Sequence, residues 1–517
     1  MSAATRLRLL VPVLFLVTCV VAVISALGAP LVPLVSREMG VSLSDAQWSL
    51  TATLLMGAVS APIMGRLGDG RWRREAIAGG VVVVLIGCAL AAVAPSLPVL
   101  VVGRTLQGVG LGLVPLAMAA ARDALPTHRV APAIALLSVA AAAGVGAGYP
   151  ISGLIAEHAG LSGAYWFGAA FSALALAALL PVVPRAGRTT GVPLDGRGAA
   201  LLSAGLVALL LGIGQGEAWG WTSAVILSLF ATAAVIIGAW VVVQLRVPSP
   251  LIEVRLLRHP AVLTGNVSAF VLGAAMYLFL SAMTAFVQTP TDAGFGFGGS
   301  VLTAGLCLVP FSATTLAASR SLPWATRVLT PRGVLPAGCL IVAGGGAFFA
   351  LEHTHLWEAF VTMAVVGVGL GWTFAAIPGL IVRAVPAAET GSAMGFYQVV
   401  RYIGFSIGSA VAAAVLAAHT PAGAALPGES GYVTALALGA GLCVAAGLMA
   451  WLLPGSQRAP GPEPEEVREL EVEDAELATG GLVGVTRGPR APSPSRPRRS
   501  RGDGPGSRPG SSAWPAR

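Results

Sequence analysis

The chain has 517 residues, of which 56% are hydrophobic and only 10% charged, at a mean hydropathy of +0.81. That balance excludes a soluble domain of this length and marks an all-α polytopic membrane protein. The formal net charge is +8 and all 31 basic residues are arginine; because they sort by loop, they give no sign of a nucleic-acid surface.

An apolar run of roughly 20 residues suffices to cross about 30 Å of hydrocarbon. About fourteen such runs are present, near 9–33, 46–66, 75–95, 97–120, 131–156, 162–183, 198–215, 222–245, 261–287, 299–318, 334–351, 357–382, 393–418 and 432–453. Arg6 and Arg8 ahead of the first run imitate a signal peptide, but the run continues to Pro33, as a retained helix does. Arginines then fall in every second connection: Arg66 to Arg74, Arg122 and Arg129, Arg185 to Arg197, Arg246 to Arg258, Arg320 to Arg332, and Arg383. The intervening loops lack arginine except for Arg37 in the first, so the positive-inside rule puts both termini in the cytoplasm. After Pro454 an acidic block, Glu463 to Glu476, precedes a Pro/Gly/Ser/Arg-rich run with too little apolar surface to fold.

The most charge-dense connection is Gly65-Arg66-Leu67-Gly68-Asp69-Gly70-Arg71-Trp72-Arg73-Arg74-Glu75, between the second and third spans. Gly65, Leu67, Asp69, Arg73 and Arg74 resemble the G-x-L-x-D-x-x-x-R-R loop of major facilitator superfamily (MFS) transporters, with Gly70 and Trp72 departing from it. The span count and the Gly214-to-Trp221 stretch look like the fourteen-helix drug/proton antiporter branch. The resemblance implies two six-helix bundles, 1–190 and 259–454, two inserted helices within 191–258, and a disordered cytoplasmic tail over 455–517. It implies a plasma-membrane secondary transporter of a kind that expels hydrophobic or cationic small molecules such as antibiotics in exchange for protons. An uncoupled carrier for a small metabolite is the alternative, and a membrane scaffold or sensor acting through its tail is another.

Asp69 has the free amides at the start of the thirteenth span, near Gly391 and Ser392, as candidate partners, because an acid favours a helix N-terminus. Arg73 has Asp123. Gly65, Asp69, Arg73, Arg74 and Asp123 are therefore the expected conformational latch. Within the spans, acids are nearly absent and the buried cations are Arg104 and Arg401; a charge there costs at least about 2.5 kcal/mol and needs a reason. Arg104, Gln107 and Gly108 share a helical face and match the R-x-x-Q-G pattern of the same branch, which implies that Arg104 and Gln107 act with Asp69 in proton coupling. The first helix places neutral Ile24 where many relatives carry an aspartate, which leaves Asp69, Asp123, Asp45 or Glu217 for any proton.

Gly146, Pro150 and Gly153 in the fifth span resemble the antiporter motif, with Tyr149 in place of a glycine. Tyr149, Pro150, Gln288, Gln398 and Arg401 are the candidate lining of a substrate cavity; Arg401, a third of the way into its span, either contacts substrate or reaches back to the membrane surface. Cys19, Cys88, Cys307, Cys339 and Cys443 read as small core residues, and the six histidines as loop residues, with His353 and His355 a weak pair. No nucleotide-binding loop, cofactor motif or metal cluster is expected, nor enzymatic activity. The expected partners are a small-molecule substrate, protons and the bilayer, around a monomer.

Overall fold

The computed structural model describes residues 3–28, 31–41, 43–183, 195–386, 389–421 and 426–452. The expected tail, Arg185 and Arg188, and the side chains of Tyr149 and Glu217 lie outside the described residues. The helices are α1 (Ala3–Ala26), α2 (Val32–Met39), α3 (Leu43–Gly68), α4 (Arg73–Ala92), α5 (Leu97–Gly108), α6 (Leu113–Ala124), α7 (Thr127–Val182), α8 (Gly196–Trp219), α9 (Ala224–Gln244), α10 (Pro260–Gln288), α11 (Val301–Leu351), α12 (Leu356–Ala384), α13 (Thr390–Ala418) and α14 (Glu429–Leu452). All regular structure among the described residues is helical, as hydrocarbon demands of a chain that must satisfy its backbone within each segment.

Among the described residues, 13 helical segments are long and apolar enough to cross a membrane. α5 and α6 join through a 3-10 turn into one span, Leu97–Ala124. α7 and α11 each hold two segments, broken at Gly160 (φ 65°) and Thr330 (φ 64°). Thr330 precedes a proline in the sequence, a place where the helical conformation is disfavoured. The first segment of α7 is described as apolar only over His128–Ala140, shorter than a span, so 13 of the expected fourteen are seen among the described residues.

Within the first half, α1 and α4 pack on α7, and α3 on α5. Within the second, α10 packs on α13 and α14, and α11 on α12 and α14. Small residues set the α10–α13 distance, since a Cβ on Gly408 would stand 2.0 Å from the Ala274 carbonyl oxygen. The inserted helices α8 and α9 are tied by Asp195, which caps α8 through the Gly198 amide at 2.9 Å and accepts from Gln244 Nε2 at 2.8 Å. Val225, Leu227, Val235 and Val242 leave α9 with an exposed apolar surface suited to lipid. The halves meet where α3 crosses α13 and where α7 meets α11 and α12.

The alternating helices gather the Gly65–Glu75 turn, Asp123, Arg320, Arg383 and the start of α13 at one end, called here the basic end. Two readings of the sequence are corrected. His128 and His158 lie inside α7 rather than in loops, because helical hydrogen bonding runs on past the apolar residues. His353 and His355 do not pair with each other: His353 Nε2 meets Glu429 at 2.6 Å, and His355 caps α12 with Glu358. Glu358 is buried, and its carboxylate accepts from the His355 amide at 2.9 Å, so one acid does sit at the edge of a span.

Candidate functional site

At the basic end α3 stops at Gly68 and the chain turns before α4 begins at Arg73. Asp69, in that turn, is buried against the second half. Its Oδ1 accepts from the Gly391 amide at 2.5 Å and its Oδ2 from the Ser392 amide at 2.8 Å. These are among the amides that a helix leaves without an internal partner, and Glu389, the residue preceding α13, makes no side-chain cap. Asp69 therefore caps α13 from the other half of the molecule, carboxylate against the positive end of the helix.

Arg66 adds an ion pair to Glu389 at 2.9 Å, and Arg122 donates to the Thr390 hydroxyl and, at 3.1 Å, to the Val385 carbonyl. Of the expected latch residues, Gly65 and Asp69 reach the second half. Arg73 pairs with Asp123 at 2.6 Å and donates to the Gly68 carbonyl, holding the turn within the first half. Arg74 donates to the Leu180 carbonyl and takes no part in the joint. Sequence reasoning missed Arg66, Arg122, Glu389 and Thr390; the available signal was that each flanks a span end in an arginine-bearing connection.

Burial pushes the Asp69 carboxyl up to about 7, outweighing the Gly391 and Ser392 amides and Arg66, which hold it down; Glu389 adds to the rise. Arg122 also faces it. A carboxyl raised in the joined state binds its proton more tightly there than in a solvated loop, so protons favour joining. The joint is accordingly strongest below about pH 4, weakens by up to about tenfold per pH unit as pH rises towards 7, and levels off above that. Spin labels across α3 and α13 should report that loosening between about pH 4 and 7, the interval from a solvated aspartate to the raised value in the joint. Asp69→Asn should flatten it; an unchanged pH profile in that variant would assign the titration elsewhere.

Deeper in the first half, Arg104 is fully buried. It donates to Gln107 Oε1 at 2.5 Å, to the Ser49 carbonyl at 3.3 Å and to the Ile24 carbonyl at 3.4 Å, beside the Tyr165 ring. Gln107 Nε2 in turn donates to the Gly87 carbonyl at 3.2 Å. The pair thus ties α1, α3, α4 and α5 together without a carboxylate, and Arg104 meets the backbone of Ile24 where an acid was looked for.

In the second half, Arg401 is buried rather than reaching the surface, with the rings of Phe374, Tyr397 and Phe405 around its guanidinium. Gln398 lies beside it on α13, also buried. Gln288 is placed elsewhere, exposed at the opposite end and bonded to the Thr284 carbonyl of its own helix. Pro150 is half-buried in α7. A cavity of about 580 Å³ opens at the basic end between α7, α11 and α12, with His128, Arg320 and Arg383 among apolar Pro132, Leu136 and Leu380. Among the described residues, Pro150, Gln288, Gln398 and Arg401 do not line it. Ala375 of α12 lines it while the adjacent Phe374 covers Arg401, so α12 separates the two.

Residues 14–409 match the family described as Major Facilitator Superfamily, with a second match over 323–501. The chain belongs to the major facilitator superfamily. Its relatives include the tetracenomycin C resistance and export protein of Streptomyces glaucescens, 26% identical over 397 residues, covering 75% of this chain and 72% of that protein. A cephamycin export protein of Amycolatopsis lactamdurans is 27% identical over 397 residues, covering 75% of this chain and 80% of its own. An uncharacterized MFS-type transporter of Mycobacterium tuberculosis is 27% identical over 392 residues; 74% of this chain matches 55% of that protein, so the chain spans about half the length of that relative. Among solved structures, the human organic anion transporter TETRAN superposes with a TM-score of 0.58 at 16% identity, over 86% of this chain and 99% of its own, which supports the fold. This MFS chain is a multi-pass membrane protein.

Proposed function

We propose that this MFS protein exports hydrophobic small molecules, antibiotics among them, across the plasma membrane in exchange for protons. The observation that carries the reading is the capping of α13 by Asp69: a hydrogen-bonded contact between the halves, made by a titratable group, that can form in one state and break in another. Two six-helix halves, 1–190 and 259–454, rock about this joint, with the basic end and both termini in the cytoplasm, where the arginine-rich connections belong. The cavity beside α7 and α12, of the size that small-molecule sites have, is the entry for substrate from that side. The names of the tetracenomycin C and cephamycin relatives support the export direction.

Proton coupling rests on Asp69, whose proton is held in the joined state and released when the basic end opens. Arg104 and Gln107 hold the first half rigid around that movement. The absence of a first-helix acid supports a second reading, an uncoupled carrier that follows its substrate gradient. Inverted vesicles energised by respiration separate the two. With a pH-gradient dye, wild-type protein should dissipate the gradient on addition of a transported antibiotic, and Asp69→Asn should not. Antibiotic movement without any proton movement would favour the uncoupled carrier.

A further inference from the structure

Arg104 and Arg401 are both sealed inside the protein, yet their surroundings differ. Three acceptors take up Nε and Nη1 of Arg104, leaving only its Nη2 open. Arg401 Nε and Nη1 have no hydrogen-bond partner, and the same holds for Gln398 Nε2 and Oε1 and for the Tyr397 hydroxyl, with the Tyr402 hydroxyl beside Arg401 and Gln398. Arg401 is 2% exposed and the other two are fully buried. Tyr397, Gln398 and Arg401 recur at helical spacing on one face of α13, so their unpartnered donors converge. Among the described residues no carboxylate pairs with Arg401; Asp69 and Glu358, the buried acids, are engaged at the ends of α13 and α12.

The ring faces of Phe374, Tyr397 and Phe405, at 5.4, 5.4 and 5.6 Å from the guanidinium carbon, offset only part of the cost of burying that cation. Tyr402, next along α13, spends its hydroxyl proton on the Leu111 carbonyl of the first half at 3.5 Å, which sets the cluster at the boundary between the halves. Tyr277 stacks on Phe405 at 4.5 Å and extends the aromatic wall.

Resting on the export reading above, we propose that Arg401, Gln398 and Tyr397 form the subsite for an acidic group of the transported molecule, a carboxylate, sulfonate or phenolate on a flat apolar body. The guanidinium and amide supply donors in the geometry that an oxyanion accepts, and the phenol adds a third. The rings receive the body. A lipophilic cation would meet an uncompensated positive charge in low dielectric and be rejected. The substrate class is therefore acidic amphiphiles, in place of the cationic ones that the family resemblance implies.

The test uses full-length protein, wild type and the variants Arg401→Met, Arg401→Lys and Gln398→Leu, with one body in several charge states: pyrene carrying a butyrate, its methyl ester, a sulfonate, a phenolate or a butylammonium. Binding is read from the melting temperature of purified protein in lipid nanodiscs, and export from inverted vesicles. At least one acidic form should bind the wild type at least tenfold more tightly than the ester or the ammonium form. Arg401→Met should remove that preference, Arg401→Lys should keep part of it, and Gln398→Leu should weaken it. Without ligand, Arg401→Met should melt no lower than wild type, because an unpartnered buried cation has gone. Equal binding of ammonium and acidic forms, an absence of acid preference across the series, or a preference that survives Arg401→Met would overturn the subsite. So would a ligand-free Arg401→Met that melts far below wild type, which is the mark of a structural arginine. Acid binding in nanodiscs with no accumulation in inverted vesicles would leave the subsite standing and remove the export reading; accumulation of the ammonium form independent of Arg401 would do the reverse.

Discussion

Replacing Gly391 by valine is expected to part α3 from α13 and to lower export more than tenfold, while each half stays folded. A Cβ at Gly391 would stand 2.1 Å from the Gly65 carbonyl oxygen and 2.8 Å from Asp69 Oδ1. The approach is reciprocal, since a Cβ on Gly65 would stand 2.2 Å from the Gly391 oxygen. Backbone cannot yield as a flexible side chain can, so the helices must separate and both hydrogen bonds to Asp69 are lost. Hydrogen bonds to a charged group contribute about 1.5–3 kcal/mol each, which puts the shift in the joined population at about 10² to 10⁴. Spin labels at the exposed positions Arg71 and Pro386, with the native cysteines replaced by alanine, would read the separation. An unchanged distance distribution in Gly391→Val would mean that the contact is not what holds the halves together. Asp69→Asn keeps the shape and one acceptor, so its effect should be the smaller of the two.

Arg104→Ala should lower both the melting temperature and export, the latter by about a hundredfold or more, the loss expected when one partner of a buried charged network is removed at about 3–5 kcal/mol. The Ile24 and Ser49 carbonyls and Gln107 Oε1 would lose their shared donor. Arg104→Lys should recover little, because an ammonium cannot span three acceptors on three helices as a planar fork does. Thermal melting and vesicle transport of both variants check this, and a lysine variant with wild-type behaviour would show that charge alone is required. The expected stability change is opposite in sign to that of Arg401→Met, although both residues are buried arginines. Partners, and not burial, make the difference.

The spans were legible because a transmembrane helix is specified locally: an apolar run of sufficient length must satisfy its own backbone wherever it packs. The end of α3 and the start of α4 were legible for the same reason, charge and glycine interrupting two apolar runs at Gly65 to Glu75. Asp69 could be matched with Gly391 and Ser392 because an acid in such a turn and a helix start rich in free amides are each visible in sequence. The ion pair of Arg66 with Glu389 was not, since 323 residues separate the two and nothing local selects one loop charge over another. The assignment of Gln288 to the same cavity as Arg401 failed because residue type gives polarity but not depth or facing.

The sequence by itself determined that this is a multi-pass helical protein, where its spans lie and which connections carry charge, because hydrocarbon enforces those features segment by segment. Only the tertiary structure decided what the buried arginines meet. A guanidinium is satisfied or left open by carbonyls, amides and rings from helices far apart in the chain, so the same residue type is a structural tie at Arg104 and an unfilled donor at Arg401.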